Sequence, residues 1–189
     1  AYLGGRLQGD LGRSMFTGRP VLDDLRAFLP ATLELTAVGI TLALLIGLPA
    51  GVFSALYRNR WPDQIARGLA LTGVSFPVFW LALMLQVLVV QIYEKTGHRI
   101  FPISSLNSVD PGSGIHFAVD RAHHLVLPVV VLMVASVASY SRYMRASMLE
   151  ILGSDYVRSA HAKGLSLRRV LYGHTLRNAI LPMVTVLGV

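Results

Sequence analysis

An all-α membrane protein is the fold class this sequence predicts, and three observations predict it. Of 189 residues, 53% are hydrophobic and only 14% charged, against about 25% charged in a soluble domain. Two uncharged stretches, Leu35 to Tyr57 and Gly68 to Tyr93, run for 23 and 26 residues, and one bilayer crossing takes about 20. The basic residues, which give a formal net charge of +7 and a pI near 10.2, gather between apolar runs rather than along one face of a soluble domain. Mean hydropathy is +0.57. A soluble enzyme is excluded on composition.

The elements follow in order. Residues 1–30 are polar and Gly-rich and end in a short amphipathic piece, Val21 to Leu29. A first span is expected over 31–57 and a second over 66–93. A third, over 124–149, is built on the 17 uncharged residues from Leu125 to Ser141, with His123, His124 and Arg142 snorkelling at its ends. A fourth apolar run begins at 178 and stops with the sequence at 189. The sequence opens on Ala1-Tyr2-Leu3 without Met and closes inside that run, so it reads as a fragment: three full spans and a truncated fourth. Pro49, Pro77, Pro128 and Pro182 lie in or beside these runs. Membrane helices tolerate proline because neighbouring groups re-satisfy the backbone, so packing is the plainer reading of them.

Charge placement gives the orientation. The segments after the first and third runs hold ten Lys and Arg against Asp63, Glu150 and Asp155, a net +7. The opposite segments hold seven against six acids, a net +1, setting aside Glu34 at the start of the first span. Lys and Arg favour the cytosolic side. The loop from Glu94 to His124 is then external, with its clearest turn signal at Asn107 to Gly114.

Chemistry is sparse. Cysteine is absent, which removes disulfides, Cys-based metal sites and thiol nucleophiles. No G-x-x-x-x-G-K-[ST], H-E-x-x-H or G-x-S-x-G occurs, so no catalytic, cofactor-binding or metal residue is assigned. The adjacent pair His123-His124 does not share a helix face and reads as interfacial. Glu34 suits a dipole partner at a helix start. Arg142 and Arg145 read as snorkelling anchors. A secondary transporter or channel would place charges along its path, and the spans carry none; an embedded enzyme would need convergent catalytic groups.

The segment 153–177 carries most information. Gly153-Ser154-Asp155 breaks the preceding helix, and Ser154 or Asp155 suits an N-cap. Tyr156 to Lys163 predicts about two helical turns, closed by Gly164 at C′ with Lys163 in the last turn. Ser166 can start a second helix, Leu167 to about Leu176. Tyr156, Val157, Ala160 and Gly164 form one face, and their small members allow close approach. An interfacial helix on anionic lipid and a helix docked on a partner both fit.

Arg158-Ser159-Ala160-His161-Ala162-Lys163-Gly164 resembles the E-A-A-x-x-x-G loop of ABC-importer permeases, the membrane subunits of binding-protein-dependent import systems. The stretch RYMRASMLEILGSDYVRSAHAKGLSLRRVLYGHTLRNAILP is similar to the dipeptide/oligopeptide branch, as are Leu7 to Leu35 and SFPVFWLALML from Ser75. The chain departs from the general motif in carrying Arg158-Ser159-Ala160 for Glu-Ala-Ala, and Ile180-Leu181-Pro182 arrives late. The branch often has Arg where His161 stands.

The resemblance implies a type I-like ABC-importer transmembrane domain in the cell inner membrane, for peptides or similar small solutes. It implies ATP-binding ABC subunits, a second homologous permease subunit and an external substrate-binding protein as partners, with a lipid bilayer around it, no nucleic acid and no cofactor. The docking residues it implies are Tyr156, Val157, Arg158, Ser159, Ala160, His161, Ala162, Lys163, Gly164 and Leu165. Similar permeases serve nickel, glutathione or sugars, so the solute stays open.

Overall fold

The computed structural model describes residues 11–162 and 164–187. The chain divides into two compact units, Ala1–Val38 and Gly39–Val189.

In the first unit, Arg13 and Pro20 form an isolated antiparallel bridge. The Ser14 N–H donates to the Arg19 carbonyl at 2.9 Å, and the Ser14 hydroxyl accepts from the Thr17 N–H at 3.2 Å. The Thr17 hydroxyl donates to Asp24 at 2.6 Å. This closed turn feeds helix α1 (Val21–Leu56), with Asp23 and Asp24 in its first turn, where acids offset the helix dipole. The helix therefore starts well before residue 31 and takes in the amphipathic piece.

The second unit is helical. Helix α1 ends at Leu56, and a tight turn at Asn59 (φ +63°), a conformation Asn adopts more readily than most residues, leads into α2 (Trp61–Ser75). The expected single span 66–93 is divided. Phe76 is extended at φ −83°, ψ 129°, as a residue before proline prefers. Pro77 then opens α3 (Val78–Thr96), its carbonyl accepting from Leu81 at 3.1 Å. Phe76 and Trp80 stack across the break at 4.9 Å. Gly97 at φ +70° closes α3. Proline at 77 thus ends one helix and starts another, whereas Pro128 is carried inside α4 (Ile115–Leu152).

The loop between α3 and α4 is tied to the first turns of α4. The Ser108 N–H and hydroxyl both donate to Asp120, at 2.9 and 2.5 Å. His123 Nε2 pairs with the Ile100 carbonyl at 2.7 Å and His124 Nδ1 with the Asp120 carbonyl at 2.9 Å. His123 thus ties the loop to α4, whereas the His124 bond lies within α4.

Helix α4 has 38 residues, about 57 Å at ~1.5 Å per residue, so it outruns the roughly 30 Å hydrocarbon core. It packs on α1 through glycines. A Cβ on Gly51 would stand 2.5 Å from the Ser141 carbonyl oxygen and 2.7 Å from the Met144 Cβ; one on Gly47 would stand 3.0 Å from the Tyr140 Cβ. Small residues let membrane helices approach this closely. Beyond α4 lie α5 (Asp155–Ala162), α6 (Leu167–Val170), a π-helical turn (Leu171–Thr175), α7 (Leu176–Ala179) and α8 (Leu181–Leu187). The expected second helix is therefore interrupted: the Leu176 N–H reaches back five residues to the Leu171 carbonyl, with Gly173 inside the turn. Ala55, Met144, Met148, Ala179 and Met183 form the core that joins α1, α4, α7 and α8.

Among the described residues, α1, α3 and α4 are long and apolar enough to cross a membrane. Helix α3 buries only Val89, leaving Phe79, Leu83, Val87 and Leu88 exposed. An apolar surface of that extent is stable only against lipid or further helices.

Candidate docking helix and its bracing

Helix α5 is short, and its two ends define it. At the start, the Gly153 N–H donates to the Leu149 and Glu150 carbonyls and the Ser154 N–H to that of Ile151. The Ser154 carbonyl accepts the first bond of α5, from Arg158 at 3.2 Å. Its hydroxyl turns back to the Ile151 carbonyl at 2.7 Å, so Ser154 occupies the cap position while tying α5 to the end of α4. At the other end Gly164 sits at φ +77°. The Leu165 N–H donates to the Ala160 carbonyl at 3.3 Å, the 6→1 bond of a Schellman motif. The glycine corner read from the sequence is present, on a helix spanning Asp155 to Ala162.

The facing of α5 corrects the sequence reading. Val157 and Ala160 are 3% and 7% exposed and pack with Val170, Ile151 and Leu165. They brace α5 on α6 and on the end of α4, so the small face at Ala160 is turned inward. The outward residues are Asp155, Arg158, Ser159, Ala162 and Gly164. Arg158 and Asp155, 3.5 Å apart, form a solvent-exposed ion pair, which contributes little to stability. Leu165 is half-buried. Lys163 and the side chains of Tyr156 and His161 lie outside the described residues. Periodicity alone marks which residues share a face; it does not tell whether that face meets the chain's own helices or a partner.

A second cluster escaped the sequence reading. Asp63, at the start of α2, is fully buried. Arg145 of α4 donates to it twice, Nε to Oδ1 at 2.8 Å and Nη2 to Oδ2 at 2.9 Å. The Ser54 hydroxyl donates to Oδ1 at 2.5 Å and the Asn59 N–H to Oδ2 at 2.9 Å. Arg67 Nε lies 3.6 Å from Oδ1. The Arg145 hydrogen bonds hold the Asp63 carboxyl well below the usual carboxylate range; burial opposes this, and Ser54 and Asn59 reinforce it. Arg145 is therefore paired rather than a snorkelling anchor. Loss of the buried Asp63 carboxylate would take from Arg145 its partner, a change that costs about 3–5 kcal/mol in a fully buried pair. The only hint in the sequence was an acid, Asp63, among the arginines 58, 60 and 67.

Three helices long and apolar enough to cross a membrane, with a break at proline and a braced, capped helix beyond the end of α4, define a multi-pass membrane protein. Residues 47–189 match the model of the binding-protein-dependent transport system inner membrane component family, and the chain belongs to that family. It is an inner-membrane protein. It is 41% identical to the probable D,D-dipeptide transport system permease protein DdpB and 40% identical to the dipeptide transport system permease protein DppB, both of Escherichia coli K12. It is 37% identical to the glutathione transport system permease protein GsiC of Escherichia coli O6:H1. Each match covers 99% of this chain, which spans 58%, 59% and 55% of those relatives' lengths.

Proposed function

We propose that this chain is a membrane-spanning part of a permease subunit in an ATP-driven importer of peptides or similar small solutes. Its family and its likeness to dipeptide and glutathione permeases support the class. The observation that carries the mechanism is α5: a helix of two turns, capped at Gly164 and braced by Val157 and Ala160, with a polar face left outward. A rigid, capped helix transmits a push that a loop would absorb.

In this reading residues 1–30 are external, the helices within 31–57, 66–93, 124–149 and from 178 onward belong to the membrane domain, and 153–177 is the cytosolic coupling loop. ATP is hydrolysed by ABC subunits that seat α5 in a groove. A second homologous permease completes the path, and an external binding protein delivers the solute.

The test is purification of the full complex around the full-length permease, with mass spectrometry of co-purified ligand and ATP-driven uptake in proteoliposomes. Uptake of a small peptide that needs both ATP and the binding protein supports the reading. Uptake driven by an ion gradient without ATPase subunits contradicts it.

A further inference from the structure

Resting on the importer reading, we propose that Asp63 and Arg145 are positioning residues that tie the coupling helix α5 to the α1–α2 hairpin. A displacement of α5 then reaches α2 as a rigid movement instead of being lost in bending of the end of α4.

The connections are continuous. Ile151, near the end of α4, packs with Val157, Ala160 and Val170, so α5 and the last turn of α4 move together. Arg145 lies two turns before that end, at Leu152. From there the link passes to Asp63 in the first turn of α2. Asp63 also fixes the hairpin through the Ser54 hydroxyl and the Asn59 N–H. Helix α2 carries the connection to the break at Pro77. Apolar contacts alone permit helices to slide, whereas a bidentate guanidinium–carboxylate pair has one favourable geometry. The pair spans 82 residues of sequence, so it joins elements that no local bond connects.

The surroundings make Asp63 the harder member to lose. Arg67, Arg142 and Arg145 line one crevice with Ser54, Ala66, Ala70 and Ser141, and Asp63 lies within ion-pair distance of both Arg67 and Arg145. Without its carboxylate the three guanidiniums face one another. Without Arg145, Asp63 keeps Arg67, Ser54 and Asn59 as partners.

The experiment uses the full-length permease in the assembled importer, reconstituted in proteoliposomes, with solute taken up per ATP hydrolysed as the readout. Arg145→Lys keeps the charge and loses the fork. It should assemble in parental amount while uptake per ATP falls about fivefold or more, with ATP turnover continuing. Asp63→Asn should lower the assembled amount as well. The double variant Asp63→Asn/Arg145→Gln removes one of the three guanidiniums together with the carboxylate, so it should restore part of the assembly lost in Asp63→Asn without restoring the ratio. A pair that only stabilises the fold would change the amount of complex and leave the ratio of the survivors parental; that result overturns the proposal. A parental complex unable to couple ATP to uptake would strike the importer reading itself.

Discussion

The Leu165 N–H donates to the Ala160 carbonyl at 3.3 Å across Gly164, which stands at φ +77°. That bond ends α5 within the chain, with no partner needed to shape it. Ala160 serves it twice, by accepting the bond and by packing its methyl against Val170 and Ile151.

The left-handed corner makes Gly164 sensitive to side chains for a backbone reason alone. A Cβ there meets no atom within 4 Å, so the penalty is conformational: about 1–2 kcal/mol for a β-branched residue. Gly164→Val should fray the end of α5 and lower co-purification of ATPase subunits severalfold, while Gly164→Asn should retain most of it. Membrane levels of both variants, measured by immunoblot, should match the parent.

Inward and outward positions of α5 should separate cleanly. Ala160→Asp buries an unpaired charge against Val170, at a cost of several kcal/mol. It should reduce the amount of folded permease recovered in detergent, whether or not the ATPase is present. Arg158→Glu, on an exposed position, should leave that amount unchanged. Monodispersity and yield by size-exclusion chromatography check both.

The glycine contact between α1 and α4 predicts a sharp contrast. Gly51→Ala must push back the Ser141 carbonyl and Met144, and overpacking of this kind costs about 1–3 kcal/mol. Gly68→Ala, in α2 with nothing within 4 Å of the new methyl, should be neutral or stabilising by up to about 1 kcal/mol. Thermal unfolding in one detergent should show a lowered midpoint for the first variant and none for the second.

Sidedness is tested at the α3–α4 loop. Ser113 is exposed between Gly112 and Gly114, both at positive φ. With no native cysteine in the 189 residues, Ser113→Cys introduces a thiol that should react with an impermeant maleimide outside intact cells. Labelling only after lysis would invert the topology.

Much of this was legible in the sequence because it is local. Uncharged runs marked the apolar helices, and Gly164 marked the end of α5 through backbone sterics. Four features were not. Pro77 breaks its helix while Pro128 is carried inside one, and residue type alone does not separate the two. The π-helical turn at Leu171 to Thr175 shifts the register by one residue, which no residue type announces. The Asp63–Arg145 pair joins residues 82 apart, so an arginine at the end of a span looked like a lipid anchor. The inward turn of Ala160 was hidden for the same reason: a face is written in the sequence, its partner is not.

In the proposed importer the outward face of α5 seats an ATPase subunit. The most direct measurement is the amount of ATPase subunit co-purified with full-length permease carrying Ser159→Trp, a bulky side chain on an exposed position that leaves Val157, Ala160 and the Gly164 corner intact. At least a tenfold loss of ATPase at parental permease yield is expected. Full recovery of the ATPase with parental uptake would contradict it and leave α5 as an anchor on the membrane surface.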